Sequence, residues 1–430
     1  MTAAAVGYEQ VRAWVAVMLG TTHATVVRTT AWIVLCVLTA QRITAAALAR
    51  ALPADQAGSG RARLTRVRRW WTGPPLEQTI VSPQLIQAAL MLLPSGQPVV
   101  VALDTTRLGS WEVWLAGIVI QGRTVPIGWA VIPYPWPKGR FRTTTIALIQ
   151  RLQGAFPPGV SWSVVADRGF PSAALFAQLR QAGTAFSVWL RLHVWVTVAG
   201  VYAMVAEHLE AGRLVVGQRT AATMGCGQRD QPLVSGWIAV SAAVVVPPKH
   251  KRNPGTARER LKRATTHAKQ RARKYGRHTT PPSATAQRYA QTWVLFTTAP
   301  TVAHAVAEYT QRMAIEETFR DWHSGWGVRT VVVALPTETM VDRLIGVVCL
   351  TYSLQMGLGQ RLSADPLGQR CRRQWTATDR VSWFWCGQRL FHDPGYDWRA
   401  WLAAQWQALI DSVSSVINTP VPNPLVDRAA

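Results

Sequence analysis

Acidic residues are scarce in this chain: 22 Asp and Glu stand against 46 Lys and Arg in 430 residues. The deficit leaves a formal charge of +24. Such an imbalance does not select a fold, but it does select partners. Polyanions, nucleic acid above all, are attracted and held in a salt-dependent way. Cysteine is equally sparse. Cys36, Cys226, Cys349, Cys371 and Cys386 are odd in number and scattered, with no CxxC pair. That argues against a disulfide framework or a zinc knuckle, and Cys371, Cys386 and His392 lack the spacing of common metal sites. Reduced thiols fit a cytoplasmic protein. Long apolar runs are missing too. The longest near the start, Ala31–Ala40, has ten residues, about half of what a membrane-spanning helix needs, and reads as a buried helix. No basic region followed by a small-residue cleavage site marks a secretory leader. No amphipathic anchor helix points to a membrane surface.

Apolar residues are plentiful, at 49%, enough to bury a core, and the length predicts two to four structural units. Residues 1–92 read as helical. Within them, Arg61, Arg63, Arg66, Arg68 and Arg69 alternate with Leu64, Val67, Trp70 and Trp71. The apolar positions recur at helical spacing, so they face a core while most arginines face out. This is either a DNA-binding helix or a solvated basic face.

From residue 97 the pattern turns to strands. Pro98–Asp104 is a β-branched run buried on both faces; Trp111–Ile120 and Thr124–Ile132 follow as a hairpin across Gln121–Arg123. A helix over Thr144–Ala155, a strand over Trp162–Asp167, a helix over Ser172–Ala182 and a strand over Ala185–Leu190 complete the run. An antiparallel meander extended by parallel strands through helices is the layout of a ribonuclease H-like sheet. Residues 194–298 are β-rich instead, with strands expected at Val194–Thr197, Arg213–Val216, Trp237–Val246 and Thr292–Thr297. They enclose a basic arm, 249–278, with twelve Lys or Arg and the single acid Glu259. Such a run cannot bury a face and is suited to phosphate contact. A continuous helix is expected from Ala303 to Trp322, another over Asp342–Gly357, and a helical tail over 361–430.

Three of the few acids stand out by position. Asp104 and Asp167 close the first and fourth strands, which would lie side by side as parallel neighbours. Two carboxylates on one sheet edge repel unless a cation neutralises them, so the pair invites Mg²⁺. On the helix from Ala303, Tyr309, Arg312, Glu316, Arg320 and His323 share one polar face, which offers Glu316 as a third carboxylate; Glu317 is rotated about 100° away. No Ser–His–Asp or Cys–His arrangement is apparent.

LDTTRL around Asp104, ADRGF around Asp167 and YTQRMAIEETFRDWHSG from Tyr309 resemble the DDE transposases of bacterial insertion sequences. The nearest branch has the spacing Tyr, two residues, Arg, three residues, Glu, six residues, Lys, and a β-rich insertion before the glutamate. Tyr309, Arg312 and Glu316 match, and His323 stands where the family has Lys. Glu316 lies 149 positions after Asp167, which leaves room for the insertion. The resemblance implies a ribonuclease H-like α/β core in two parts, 97–193 and 299–360, interrupted by the β-rich insertion 194–298. Helical regions 1–92 and 361–430 flank it, the first binding DNA. It implies two Mg²⁺ ions, with Mn²⁺ a possible substitute, held by Asp104, Asp167 and Glu316. Tyr309, Arg312, Arg320, His323 and Arg168 would contact DNA. The partners would be double-stranded DNA, as terminal inverted repeats and target, and a second copy of the chain in a paired-end complex at the nucleoid. Relatives that form a DNA hairpin flip a base onto a tryptophan of the insertion; Trp195, Trp237 and Trp293 are candidates. A catalytically silent DNA-binding descendant, or a nuclease that cuts without joining, would share much of this pattern.

Overall fold

The computed structural model describes residues 7–20, 23–52, 58–73, 78–225, 232–242, 292–332, 335–366, 368–370, 382–391 and 399–418. The basic arm at 249–278, with Cys226 and Cys371, lies outside them. The chain divides into two compact units, one from Met1–Val188 with Ala307–Ala430, the other Trp189–Val306.

The first unit opens on the helices Tyr8–Leu19, Ala24–Ala40, Ala45–Ala51, Gly60–Trp71 and Gln78–Leu92. Thr44 and Ser59 start two of them by accepting a hydrogen bond from the amides of Ala47 and Ala62, which satisfies donors that a first turn leaves open. Ala31–Leu38 is wholly buried, as its run of apolar residues requires. In Gly60–Trp71 the buried face is Val67, Trp70 and Trp71, with Leu64 half-buried and Arg61, Arg66, Arg68 and Arg69 exposed.

Its sheet runs in the order β3-β2-β1-β4-β5, from β1 (Val99–Leu108), β2 (Trp111–Ile120), β3 (Arg123–Pro133), β4 (Trp162–Ala166) and β5 (Ala185–Trp189). The first three strands form an antiparallel meander, and β4 and β5 add in parallel. Gln121 and Gly122 close the β2–β3 hairpin with φ of 50° and 70°, the positive pair that a tight type I′ turn demands. The helices Arg140–Ala155 and Ala173–Gln181 supply the crossovers. One boundary is corrected: β1 does not stop at Asp104 but runs four residues further. The parallel ladder with β4 ends at Leu103–Ala166, while antiparallel pairing with β2 continues to Leu108–Trp111. Thr105 and Thr106, β-branched and half-exposed, keep the backbone extended with a neighbour on one side only.

The Glu338–Ala364 helix lies in the core. It is long and apolar enough to cross a membrane, yet 94% of its most apolar window is buried inside the protein. Its backbone nearly touches that of Trp383–Leu390. A Cβ on Gly359 would sit 1.8 Å from the Trp383 carbonyl oxygen, and one on Gly387 2.1 Å from that of Gln355. The helix Arg399–Asn418 closes the described chain. Cys36, Cys349 and Cys386 are buried free thiols.

In the second unit the strand order is β10-β9-β8-β6-β7, all antiparallel, from β6 (Trp195–Val198), β7 (Val201–Met204), β8 (Arg219–Met224), β9 (Val234–Val240) and β10 (Val294–Thr297). The strand expected at Arg213–Val216 is absent. A short helix, Val205–Glu210, ends there, and Gly212 and Gly217, at φ of 69° and 83°, turn the chain so that Val215 and Val216 stay exposed. A glycine at positive φ on each side leaves too few extended residues to pair.

Candidate active site

Parallel pairing of β1 with β4 runs in register up to Leu103 and Ala166, and the next residue on each strand is an aspartate. Asp104 and Asp167 therefore emerge side by side where the ladder ends. Asp167 opens the turn to Phe170, whose amide donates to its carbonyl at 3.0 Å.

Glu316 arrives from the other end of the sequence. The single helix expected over Ala303–Trp322 is three pieces: Val302–Gln311, Met313–Arg320 and a π-helical turn, Asp321–Gly325. Thr318 pins the middle piece to β3, accepting from the Thr124 amide at 2.8 Å and donating to the Thr124 carbonyl at 3.2 Å. Asp321 anchors the π turn, accepting from Arg123 Nε at 2.8 Å and from the Tyr352 hydroxyl at 3.0 Å. A π turn re-aims the side chains that follow it.

The three acids meet around a cation supplied by the chain. Arg312 donates through Nη1 to Asp104 Oδ2 at 2.8 Å and through Nη2 to Glu316 Oε1 at 2.9 Å. Asp104 Oδ1 accepts from the Thr105 amide at 2.8 Å. Asp167 lies close enough to act on Asp104 through its charge, and its own Oδ1 is buried with no hydrogen-bond partner. Burial pushes the Asp104 carboxyl up to about 6, and the neighbouring Arg312 only partly opposes it. Burial also works against the charge of Arg312, but the neighbouring carboxylates Asp104 and Asp167 outweigh it and hold the guanidinium protonated. Tyr309 is 2% exposed, its phenol held neutral by burial, with its ring 5.7 Å from that guanidinium.

The remaining members of the polar face divide. His323 Nε2 meets Thr106 Oγ1 at 3.0 Å, two residues beyond Asp104, and burial, then Arg329, lowers its pKa, so the ring is neutral at pH 7. Arg320 does not join it. That side chain is 61% exposed and pairs with Glu317, because the acid three residues earlier on its own helix is within easier reach. Arg168 is exposed on the turn after Asp167. Of the three tryptophans, Trp293 is core at 9% exposure. Trp195 is 47% exposed beside Tyr202, and Trp237 is 38% exposed beneath the Arg219 guanidinium at 4.0 Å. Reading the sequence missed Thr106, Arg123, Asp321 and Tyr352. Single polar residues within strands and helices carry no spacing signal, and only their meeting marks them.

Among the described residues no three His, Cys, Asp or Glu side chains already converge as a ligand set, since the guanidinium stands between Asp104 and Glu316. The donors nonetheless suit a hard divalent cation. All are carboxylate oxygens, two accept from the Arg312 guanidinium, and the buried Asp167 Oδ1 has no hydrogen-bond partner.

Comparison with known proteins adds one match. Residues 142–332 fit the family model described as the transposase DDE domain, a span that holds Asp167, Tyr309, Arg312 and Glu316 but starts after Asp104. No curated protein matches the chain. With two aspartates where the parallel ladder ends, a glutamate brought to them by a late helix, and that match, residues 142–332 are similar to the transposase DDE domain.

Proposed function

We propose that this protein is a metal-dependent transposase that cuts DNA at the ends of its element and joins them to target DNA. The observation that carries the reading is the gathering of Asp104, Asp167 and Glu316 about one removable cation. The order β3-β2-β1-β4-β5, with its antiparallel and parallel halves, supports a ribonuclease H-like core. The three acids would hold two Mg²⁺ ions, or Mn²⁺. When bound, such ions activate the attacking oxygen and neutralise the leaving one.

The chain's own residues do the rest. Asp104 and Asp167 are placed by strand register, so their separation is set by the sheet. Arg312 offsets the charge repulsion between Asp104 and Glu316. Once it releases the acids, its guanidinium is free to take a phosphate oxygen, for which its planar fork is suited. Tyr309 shields that guanidinium from water on one side. Neutral His323 offers a hydrogen bond to DNA rather than a charge, where the family has Lys. The helical N-terminal region would bind the terminal repeats, and two copies would pair the ends.

The chain, Mg²⁺ and DNA carrying the sequences that flank its gene make the test. Cleavage followed by strand transfer is expected. Asp104→Ala should abolish cleavage and leave end binding within about threefold, since one carboxylate contributes little to phosphate contact. Cleavage by that variant would refute the site. Cutting without joining would indicate a plain nuclease, and binding without cutting a catalytically silent descendant.

A further inference from the structure

Large apolar side chains left in water gather in the second unit. Seven of the eight exposed ones among the described residues belong to it, and Trp195, Tyr202 and Trp237 share one face of its sheet. Strand register puts them there. Thr197, two residues after Trp195 on β6, pairs with Tyr202 of β7 on one side and Thr223 of β8 on the other. Thr223 pairs in turn with Ser235 of β9, two residues before Trp237. Paired residues share a face and every second residue returns to it, so the three rings and these hydroxyls project the same way. The opposite face, with Val196, Ala203, Ala222 and Ile238, is buried. The solvated face of an antiparallel sheet is ordinarily polar. Large apolar groups gathered on one mark an interaction site.

The rings are set for stacking. Trp195 and Tyr202 lie 5.2 Å apart at 35°. Trp237 is roughly 16 Å from that pair, by strand spacing and rise. Arg219 lies over it at 4.0 Å and is held there by donating to the Ala299 carbonyl at 2.6 Å. Charge decides what covers the face. Residues 189–306 hold 17 Lys and Arg against four acids, and twelve of those cations fall in the arm that joins β9 to β10 in sequence. A second copy of the chain would bring like charge and be repelled. A polyanion is attracted instead, and single-stranded nucleic acid offers flat unpaired bases to the rings as well as phosphates to the cations. Duplex DNA keeps its bases stacked on one another and out of reach of a sheet face.

We infer that this face binds single-stranded DNA, with unpaired bases stacked on Trp195, Tyr202 and Trp237. One flipped base needs one ring; two stations roughly 16 Å apart suit a run of several nucleotides. The choice of DNA over RNA rests on the reading of the chain as an enzyme that cuts and joins DNA. Binding is scored with divalent metal chelated, so a failure of cleavage and a failure of this surface are separate results.

The test uses the chain in EDTA with fluorescein-labelled oligothymidylate of about 16 nucleotides, which does not pair with itself, and a labelled duplex of arbitrary sequence, both followed by anisotropy. The paired substitution Trp195→Ala and Tyr202→Ala should weaken oligothymidylate binding at least about tenfold and duplex binding less than about threefold. Trp195→Phe with Tyr202→Phe, which keeps a ring at each place, should stay within about threefold of wild type with both probes. Trp237→Ala alone should weaken oligothymidylate binding at least about fivefold. The pair Val215→Ala and Val216→Ala removes exposed apolar groups of the same unit without touching a ring, and should leave that binding within about threefold. An aromatic-to-alanine pair that binds oligothymidylate like the valine pair overturns the inference. Equal losses with the duplex would also overturn it, since the contact would then be with phosphates and not with bases. So would tighter binding of oligouridylate, which would make RNA the ligand. A labelled acidic peptide rich in aromatics whose binding falls with the alanine pair, while that of oligothymidylate does not, would make the face a protein site instead.

Discussion

At Arg312 two opposing demands on one side chain meet. It is the partner of Asp104 and Glu316 and is itself 7% exposed. Removing a buried partner leaves charges uncompensated and typically costs about 3–5 kcal/mol. Glu316 is a third exposed, so the lower figure is the better guide. We expect Arg312→Met to melt below the wild-type protein without metal, and Mg²⁺ to raise the melting temperature of the variant more than that of the wild type. An equal Mg²⁺ effect on both would mean that Arg312 does not compete for the acids. Asp104 sets a pH dependence in the same state. Its carboxyl titrates at about 6 when folded against 3.8 free, so the folded protein holds that proton more tightly. The stabilisation is full below pH 3.8 and is lost as pH rises through about 6. Two units correspond to on the order of 3 kcal/mol. Metal-free protein should gain stability from about pH 7.5 to pH 5, and Asp104→Asn should flatten that gain. Buried Glu112 and Asp321 shift in the same direction, which is why the difference between wild type and variant, not the wild-type curve alone, is the measurement. Asp167 is legible in the sequence as the acid that follows a strand; Asp104 is legible as an acid on the first strand, but not that β1 runs on past it. The Arg312 bridge is not, since the sequence shows spacing along one helix and nothing of what faces it.

Elements carry the next layer. Glu316 and His323 look like one stripe on an ideal helix, but the break at Arg312 and the π turn at Asp321–Gly325 separate their tasks. Glu316 joins the acids, His323 joins Thr106, and Arg320 leaves the group. Asp321, held by Arg123 of β3 and by Tyr352, is what fixes the turn. A π turn is invisible in a 3.6-residue pattern because it is imposed by tertiary contacts. The glycines of the Glu338–Ala364 helix belong to this scale too. A helix-interior glycine alone weakens a helix by about 1 kcal/mol, so Gly359→Ala would stabilise an isolated helix. Here the added methyl would collide with the Trp383 carbonyl. We expect Gly359→Ala to lower stability by about 1–3 kcal/mol, as overpacking does, measured by denaturant unfolding. Gly154→Ala, on a helix with open space around the new methyl, serves as the comparison and should be neutral or stabilising. A Gly359 variant as stable as the Gly154 one would contradict the close packing.

For the whole molecule the dominant quantity is charge. With +24 on 430 residues, association with duplex DNA should be steeply salt-dependent. Six to ten phosphate contacts imply a drop of roughly 10³–10⁵ in affinity between about 50 and 200 mM salt. Binding that changes less than about tenfold over that range would mean that the positive charge serves something other than DNA. Composition set the expectation of polyanion partners, and local patterning was enough to read the β1–β5 run and the N-terminal helices. These follow from hydrophobic periodicity, which every short window of the chain expresses by itself. What the folded chain decided is where distant windows meet: β1 continuing past Asp104 because β2 still pairs with it, and an arginine between two acids 212 residues apart in sequence. Those depend on electrostatic and steric contacts between segments that share no local pattern, and only the assembled core brings them within reach of each other.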